Sequence, residues 1–233
     1  MKTLMIDSPK ITAENTELHI KIQKTLLICG IVSSLLYVFA TIIGAAQWPG
    51  YSTLDQSISE LIGIDAPSAP VTVPLFFIYS ILIYAFGVGV WISAGQKRAL
   101  KIAAVLIVLK EVLGMVGLLI APIHLRGVTP GFSDTLHIIV TAVGTLLCIF
   151  PALLFAAVAF GKKFRFYTIA TAVVFLVFGA LGGSYSPQLA ANQPTPWLGV
   201  WERVCVFAYM LWIIVLASAL IRKQTAIYPR KGV

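Results

Sequence analysis

Six long apolar runs dominate the chain, and shorter, more polar segments separate them. The runs cover about residues 25–46, 73–95, 102–122, 136–160, 166–183 and 199–221. A helix needs roughly 20 residues to cross about 30 Å of hydrocarbon, because every backbone amide must be bonded within the segment. The pattern therefore predicts an all-α polytopic membrane protein, built as a bundle of six transmembrane helices.

These spans divide the sequence into an N-terminal segment (1–24), a six-span domain (25–221) and a C-terminal tail (222–233). The first apolar run is longer than the core of a typical signal peptide. Acidic residues also precede it, at Asp7, Glu14 and Glu17. We therefore expect the first span to be retained in the protein.

Composition supports a membrane protein. Hydrophobic residues make up 59% of the chain, charged residues 11%, and the mean hydropathy is +0.93, which is outside the range of soluble domains. The net charge is +8, but the basic residues cluster at the ends of the spans, where orientation in the membrane explains them. We therefore expect no nucleic-acid partner. The expected partner is the lipid bilayer; no motif predicts a cofactor, and the oligomeric state stays open.

The distribution of basic residues predicts the orientation. Fourteen of the seventeen Lys and Arg residues fall before span one, between spans two and three, between spans four and five, or after span six. The positive-inside rule places such segments in the cytoplasm. We therefore expect a protein of the bacterial inner membrane with both termini cytoplasmic.

The first outer connection, residues 48–63, carries more chemistry than a simple linker needs. Ser52 and Asp55 are three residues apart, as in a capping box that opens a helix. Apolar residues then recur at helical spacing, at Leu54, Ile58, Leu61 and Ile62. This pattern predicts a short interfacial helix in the first outer loop.

Nine polar residues on the three outer connections are the predicted ligand-binding residues. They are Ser57, Ser59, Glu60, His124, Arg126, Asp134, His137, Glu202 and Arg203. We expect them to gather into a polar, net acidic pocket that binds a lipid headgroup or a small polar ligand, including a cationic one. The two arginines would contact phosphate, and the carboxylates would meet a positive group.

Two further functions remain open. His124 and His137 with a carboxylate could hold a metal ion in a lipid hydrolase, although no HExxH motif or third local ligand is present, and no metal ligands are assigned. Asp134 and His137 would share a helix face, so that the carboxylate could orient the imidazole. His137 could also serve as the base for a serine nucleophile, but no GxSxG motif frames Ser57 or Ser59.

The third possibility is a structural or accessory protein whose charge cluster only locks the fold. Unpaired charges are costly near a membrane, and Glu202 and Arg203, as neighbours on a helix, cannot comfortably pair with each other. The expected partner of Glu202 is Arg126, and the expected partner of Arg203 is Glu60 or Asp134.

Span three contains two intramembrane charges, Lys110 and Glu111. Lys110 can extend toward the cytoplasm, and Glu111 is expected to be protonated or paired across the bundle. Intramembrane carboxylates often line proton or cation routes, so a relay is the functional alternative.

Several short motifs resemble those of a known family. They are Pro49-Gly50-Tyr51, Ile58-Ser59-Glu60-Leu61, Leu136-His137 and Gly199-Val200-Trp201-Glu202-Arg203. Together with the six-span layout, they resemble the bacterial multi-pass membrane family catalogued as domain of unknown function 998. The resemblance covers about residues 25–221 and implies an integral membrane protein, without implying a reaction.

Overall fold

The structure is a computed structural model that describes residues 8–227, with side chains for residues 15–189 and 191–226. The basic residues at the two extreme ends of the chain, such as Lys2 and Arg230, were predicted to be cytoplasmic, and they lie outside the described residues. The α-helices are α1 (Ser8–Gln47), α2 (Ala69–Ala94), α3 (Arg98–Leu119), α4 (Phe132–Val143), α5 (Phe150–Ala159), α6 (Lys162–Gly183), α7 (Ser186–Ala190) and α8 (Leu198–Ile227). A 3₁₀ helix (Ser59–Ile62) precedes α2, and a π-helix (Gly144–Ile149) joins α4 to α5.

The predicted all-helical bundle with six spans is confirmed. Six helical stretches within residues 8–227 are long and apolar enough to cross a membrane. The fourth span consists of α4, the π-helix and α5, and the other spans are α1, α2, α3, α6 and α8.

The first and last helices extend beyond the predicted apolar runs, because polar contacts support additional turns. In α1, Lys21 and Glu17 form an i,i+4 ion pair at 2.7 Å, which favours helix at this polar end. In α8, the side-chain amide of Gln224 donates to the carbonyl of Ile20 and to Gln23 at 3.0 Å each. Hydropathy alone does not detect such turns.

The spans pack in a closed ring in the order α1, α2, α3, α4/α5, α6, α8 and back to α1. Phe86 of α2 and Trp212 of α8 are fully buried in the core. Gly30 allows α1 to approach α2, since a Cβ there would lie 2.5 Å from the Phe86 ring. Close approach of this kind is how helices gain contact in a membrane.

The two ends of the bundle differ. At the short-loop end, only residues 95–97 and 160–161 connect the spans. At the other, which we call the long-loop end, the connections are the first loop (48–68), the second loop (120–131) and the third loop (184–197). All nine predicted ligand-binding residues lie at the long-loop end, in these loops or in the adjoining helical turns.

The short interfacial helix predicted in the first loop is not confirmed. Ser52 and Asp55 do contact each other, with the Ser52 hydroxyl donating to the Asp55 carboxylate at 2.9 Å, but turns follow instead of an α-helix. Only the 3₁₀ helix Ser59–Ile62 forms, and Ile58 and Leu61 are buried. The loop packs into the end of the bundle because side chains there form hydrogen bonds with its backbone. The spacing of apolar residues in the sequence does not reveal such contacts.

The intramembrane charges of α3 pair with each other and with α2. The Lys110 ammonium lies 3.2 Å from the Glu111 carboxylate. The Ser80 hydroxyl donates to that carboxylate at 2.5 Å, and Lys110 lies over the rings of Tyr79 and Tyr209. Glu111 is thus paired across the bundle, and Lys110 lies beside it instead of extending to the helix end.

Candidate functional site

Arg203, in the second turn of α8, holds the backbone of the first loop. Its Nη1 donates to the carbonyls of Thr53 and Gln56 at 3.0 Å each, and its Nη2 donates to the Tyr51 hydroxyl at 2.7 Å. Gly199 lies one turn earlier, against the same two carbonyls, and leaves no room for a Cβ. A cation that donates to carbonyls replaces the backbone partners that this irregular loop lacks.

Tyr51 completes this contact from the loop side. Its hydroxyl accepts from Arg203 and donates to the carbonyl of Ser57 at 2.7 Å. Burial raises the pKa of Tyr51 to about 12, against the lowering effect of the nearby Arg203 cation. The phenol therefore keeps its proton, and its donor role, at neutral pH.

Glu202, one residue before Arg203 in α8, binds the same loop. Its carboxylate accepts from the backbone N–H of Ile58 at 2.6 Å. The predicted partner of Glu202 was Arg126, and this pairing is wrong. An amide group satisfies the carboxylate because the 3₁₀ helix presents its free N–H groups there.

Arg126 instead fastens the second loop to Glu60 of the first. Its Nε lies 2.7 Å from one carboxylate oxygen and its Nη2 lies 3.1 Å from the other. The Glu60 side chain is 4% exposed and also accepts from the Ser57 amide and the Gln56 side chain. A bidentate pair of this kind combines charge with fixed geometry. Neither predicted partner of Arg203, Glu60 or Asp134, pairs with Arg203, because its donors are occupied by the loop.

Asp55 joins all three loops. Its backbone carbonyl accepts from Arg126 Nη2 at 2.8 Å and from the Thr195 hydroxyl at 3.0 Å. Its carboxylate accepts from the backbone N–H of Trp197 at 3.1 Å. The first loop therefore contacts both other loops, and these also meet directly, where the N–H of Gly127 donates to the side chain of Asn192 at 2.9 Å.

His137 and Ser59 form a second group, where α4 meets the 3₁₀ helix. Nε2 of His137 lies 3.1 Å from the Ser59 hydroxyl, and Nδ1 lies 2.8 Å from the carbonyl of Ala121. His137 is 8% exposed. The imidazole is thus fixed at both nitrogens between two loops.

Asp134 orients His124 and not His137. Its carboxylate accepts from the backbone N–H of His124 at 2.8 Å and lies 2.7 Å from Nδ1 of that residue. The N–H of Gly131 also donates to it, at 2.7 Å. Helix periodicity placed Asp134 on the face of His137, but the side chain turns back to cap the start of α4.

An open cleft of about 450 Å³ lies between the three loops. It is lined by Ser52, Asp55, Gln56, Arg126, Pro194, Thr195 and Pro196. This volume is within the range of small-molecule sites. Arg126 brings a positive charge to the lining and Asp55 a negative one.

The predicted ligand-binding residues and the cleft lie at the same end of the bundle, but few of these residues line the cleft. Of the nine predicted ligand-binding residues, only Arg126 lines the cleft. The others, with Ser57, Ser59, Glu60, Glu202 and Arg203 in the first-loop contacts and His124, Asp134 and His137 around α4, make the contacts described above; their binding of a ligand stays a prediction. Sequence reasoning missed Asp55 as a site residue, although its three-residue spacing from Ser52 indicated a carboxylate held in place.

No group of three His, Cys, Asp or Glu side chains within the described part of the chain could hold a metal ion. His124 contacts Asp134, whereas His137 contacts Ser59. These described residues therefore provide no set of metal ligands, and the metal-dependent hydrolase stays a prediction.

The fold and its loop contacts define a polytopic α-helical membrane protein with a loop-covered end. The family described as "Protein of unknown function (DUF998)" matches residues 31–219, so the chain belongs to that family. This confirms the resemblance seen in the motifs. No curated protein and no solved structure matches the chain.

Proposed function

We propose that this protein binds a lipid headgroup or a small polar molecule in the cleft at the long-loop end. The observation that supports this most is that one lining contains both a positive side chain, Arg126, and a negative one, Asp55, in a cleft of about 450 Å³. A ligand that carries a phosphate or carboxylate together with an amine would match both.

The chemistry of Arg126 favours this proposal. Its Nε and Nη2 are occupied by Glu60 and the carbonyl of Asp55, whereas Nη1 makes no hydrogen bond to the described residues. A guanidinium with one group fixed and another free is preorganised to bind an anionic oxygen. The fixed side chain also loses little entropy when a ligand binds.

The remaining charges have a supporting role in the proposal. Glu60, Glu202 and Arg203 fasten the first loop to the second loop and to α8. The cleft exists only where these loops stay together. The charge cluster would therefore lock the fold, as considered from the sequence, and also support the binding site.

We expect a Pro194→Trp substitution to abolish binding. Pro194 lines the cleft, is exposed and donates no hydrogen bond, so an indole there fills the space without breaking a loop contact. The matched control is Gln193→Trp, an exposed neighbour outside the lining. Purified protein would be titrated with phosphoethanolamine, inorganic phosphate and ethanolamine, and thermal stabilisation measured.

We expect phosphoethanolamine to raise Tm in the native protein and the control but not in Pro194→Trp. Incorporation into vesicles of phosphatidylethanolamine, compared with phosphatidylglycerol, distinguishes a lipid headgroup from a free molecule. If none of the probes changes the Tm of the native protein, of the control or of Pro194→Trp, the proposal is contradicted.

We further propose that the long-loop end faces outward from a bacterial inner membrane and that both termini are cytoplasmic. Lys97, Lys101, Lys162 and Arg165 all lie at or near the short-loop end, which supports a cytoplasmic position for that end.

Exposed positions at opposite ends provide a test of this orientation. In intact cells, a membrane-impermeant maleimide should label Gln193→Cys and leave Lys163→Cys unlabelled until the cells are lysed. The unaltered protein serves as the control for Cys29, Cys148 and Cys205. Labelling of Lys163→Cys alone would reverse the orientation.

A further inference from the structure

The contact between Ser59 and His137 lies outside the cleft and has the geometry of a nucleophile with its base. A backbone carbonyl can only accept, so the 2.8 Å contact with Ala121 places the proton of a neutral imidazole on Nδ1. Nε2 then carries the lone pair and accepts from the Ser59 hydroxyl at 3.1 Å. This is the tautomer that a general base requires.

The surroundings keep this geometry fixed. The His137 ring packs against α3 at Gly117, where a Cβ would lie 3.5 Å from two ring atoms. Ser59 opens the 3₁₀ helix, which is held from below by the Ser68 and Thr72 hydroxyls on the carbonyl of Leu61. An imidazole locked on both sides loses little entropy when it takes up a proton.

The position of the pair favours a substrate from the bilayer. Ala121, the partner of His137, directly follows Leu119 and Ile120, which are 53% and 68% exposed at the end of α3. Phe132, in the first turn of α4, is 81% exposed. Large apolar side chains exposed at the ends of spans face lipid, at the depth where hydrocarbon meets the polar region.

We propose that Ser59 is a nucleophile, activated by His137, that acts on the acyl ester of a membrane lipid. Ser59 Oγ forms a bond to the ester carbonyl carbon while its proton passes to Nε2 of His137. The imidazolium returns that proton to the leaving alcohol oxygen as the ester C–O bond breaks. Water then attacks the acyl-serine by the same route, which releases a fatty acid and restores both side chains.

A long-chain alkyl fluorophosphonate tests the nucleophile on the full chain in vesicles. The Ser59 oxygen would form a bond to phosphorus and displace fluoride, and peptide mass spectrometry would locate the adduct. We expect the adduct on Ser59 in the native protein and in the control Ser184→Ala, an exposed serine of the third loop whose hydroxyl contacts a backbone carbonyl instead of an imidazole. Ser59→Ala should lose it, and His137→Gln should slow its formation by on the order of 100-fold.

Fatty-acid release from phosphatidylethanolamine and phosphatidylglycerol vesicles tests the substrate class. The native protein and Ser184→Ala should release fatty acid, and Ser59→Ala should not. Thermal unfolding of each variant shows that it is folded. The nucleophile is overturned if the folded native protein forms no Ser59 adduct or if His137→Gln reacts at the native rate, and the lipid ester is overturned if release is equal in native protein and Ser59→Ala.

Discussion

Replacing Arg126 by Met is expected to lower the free energy of unfolding by about 3 kcal/mol, because it leaves a buried carboxylate without its cation. The Glu60 side chain is 4% exposed, and both of its oxygens contact Arg126. The Arg126 side chain is 31% exposed, so we expect a loss of unfolding free energy at the lower end of the range measured for buried ion pairs. Denaturant titration of the purified protein measures it.

The matched control is Arg98→Met, which removes an exposed arginine at the short-loop end. Its effect should stay within about 0.5 kcal/mol. The double variant Glu60→Met with Arg126→Met should recover much of the loss, because it replaces the pair by apolar groups. A double variant that is less stable than Arg126→Met would contradict this explanation.

Substituting Gly199 by Ala is expected to release the first loop from α8 and destabilise the protein by about 1–3 kcal/mol. A Cβ at this position would lie 2.6 Å from the carbonyl oxygen of Thr53 and closer still to that of Gln56. Both oxygens belong to the backbone and are already held by Arg203. Neither can move away without breaking that contact.

Gly183→Ala is the matched control for Gly199→Ala. Gly183 also lies at the long-loop end, but a Cβ there would meet open space. We expect its thermal unfolding to resemble that of the native protein. If both variants unfold at the native temperature, the close approach of loop and helix is absent in solution.

The sequence predicted the membrane fold well because apolar length is a local property. All six spans are visible as runs of about 20 residues, and the fourth is continuous in hydropathy even though it contains a π-helix. The polar turns at the start of α1 and the end of α8 were missed, since contacts such as Gln224 with Ile20 depend on which helices are neighbours.

For the candidate site, the sequence indicated only the end of the bundle at which the polar residues gather, and not their contacts. Charge pairing was inferred between side chains, whereas Glu202 and Arg203 bind backbone groups of the first loop. Asp134 was assigned to His137 by helix spacing, but Gly131 and His124 draw it to the start of α4. Irregular backbone supplies donors and acceptors that residue identity does not reveal.

Hydrogen exchange at the backbone amides of Ile58 and Trp197 tests whether the first loop is fixed to α8 and to the third loop, on which the candidate site depends. Both amides donate to carboxylates, those of Glu202 and Asp55. We expect slow exchange at both amides in the native protein, with faster exchange at Ile58 alone in Glu202→Ala. If both amides exchange at the rate of a free loop, and Glu202→Ala changes neither rate, these loop contacts are absent in solution.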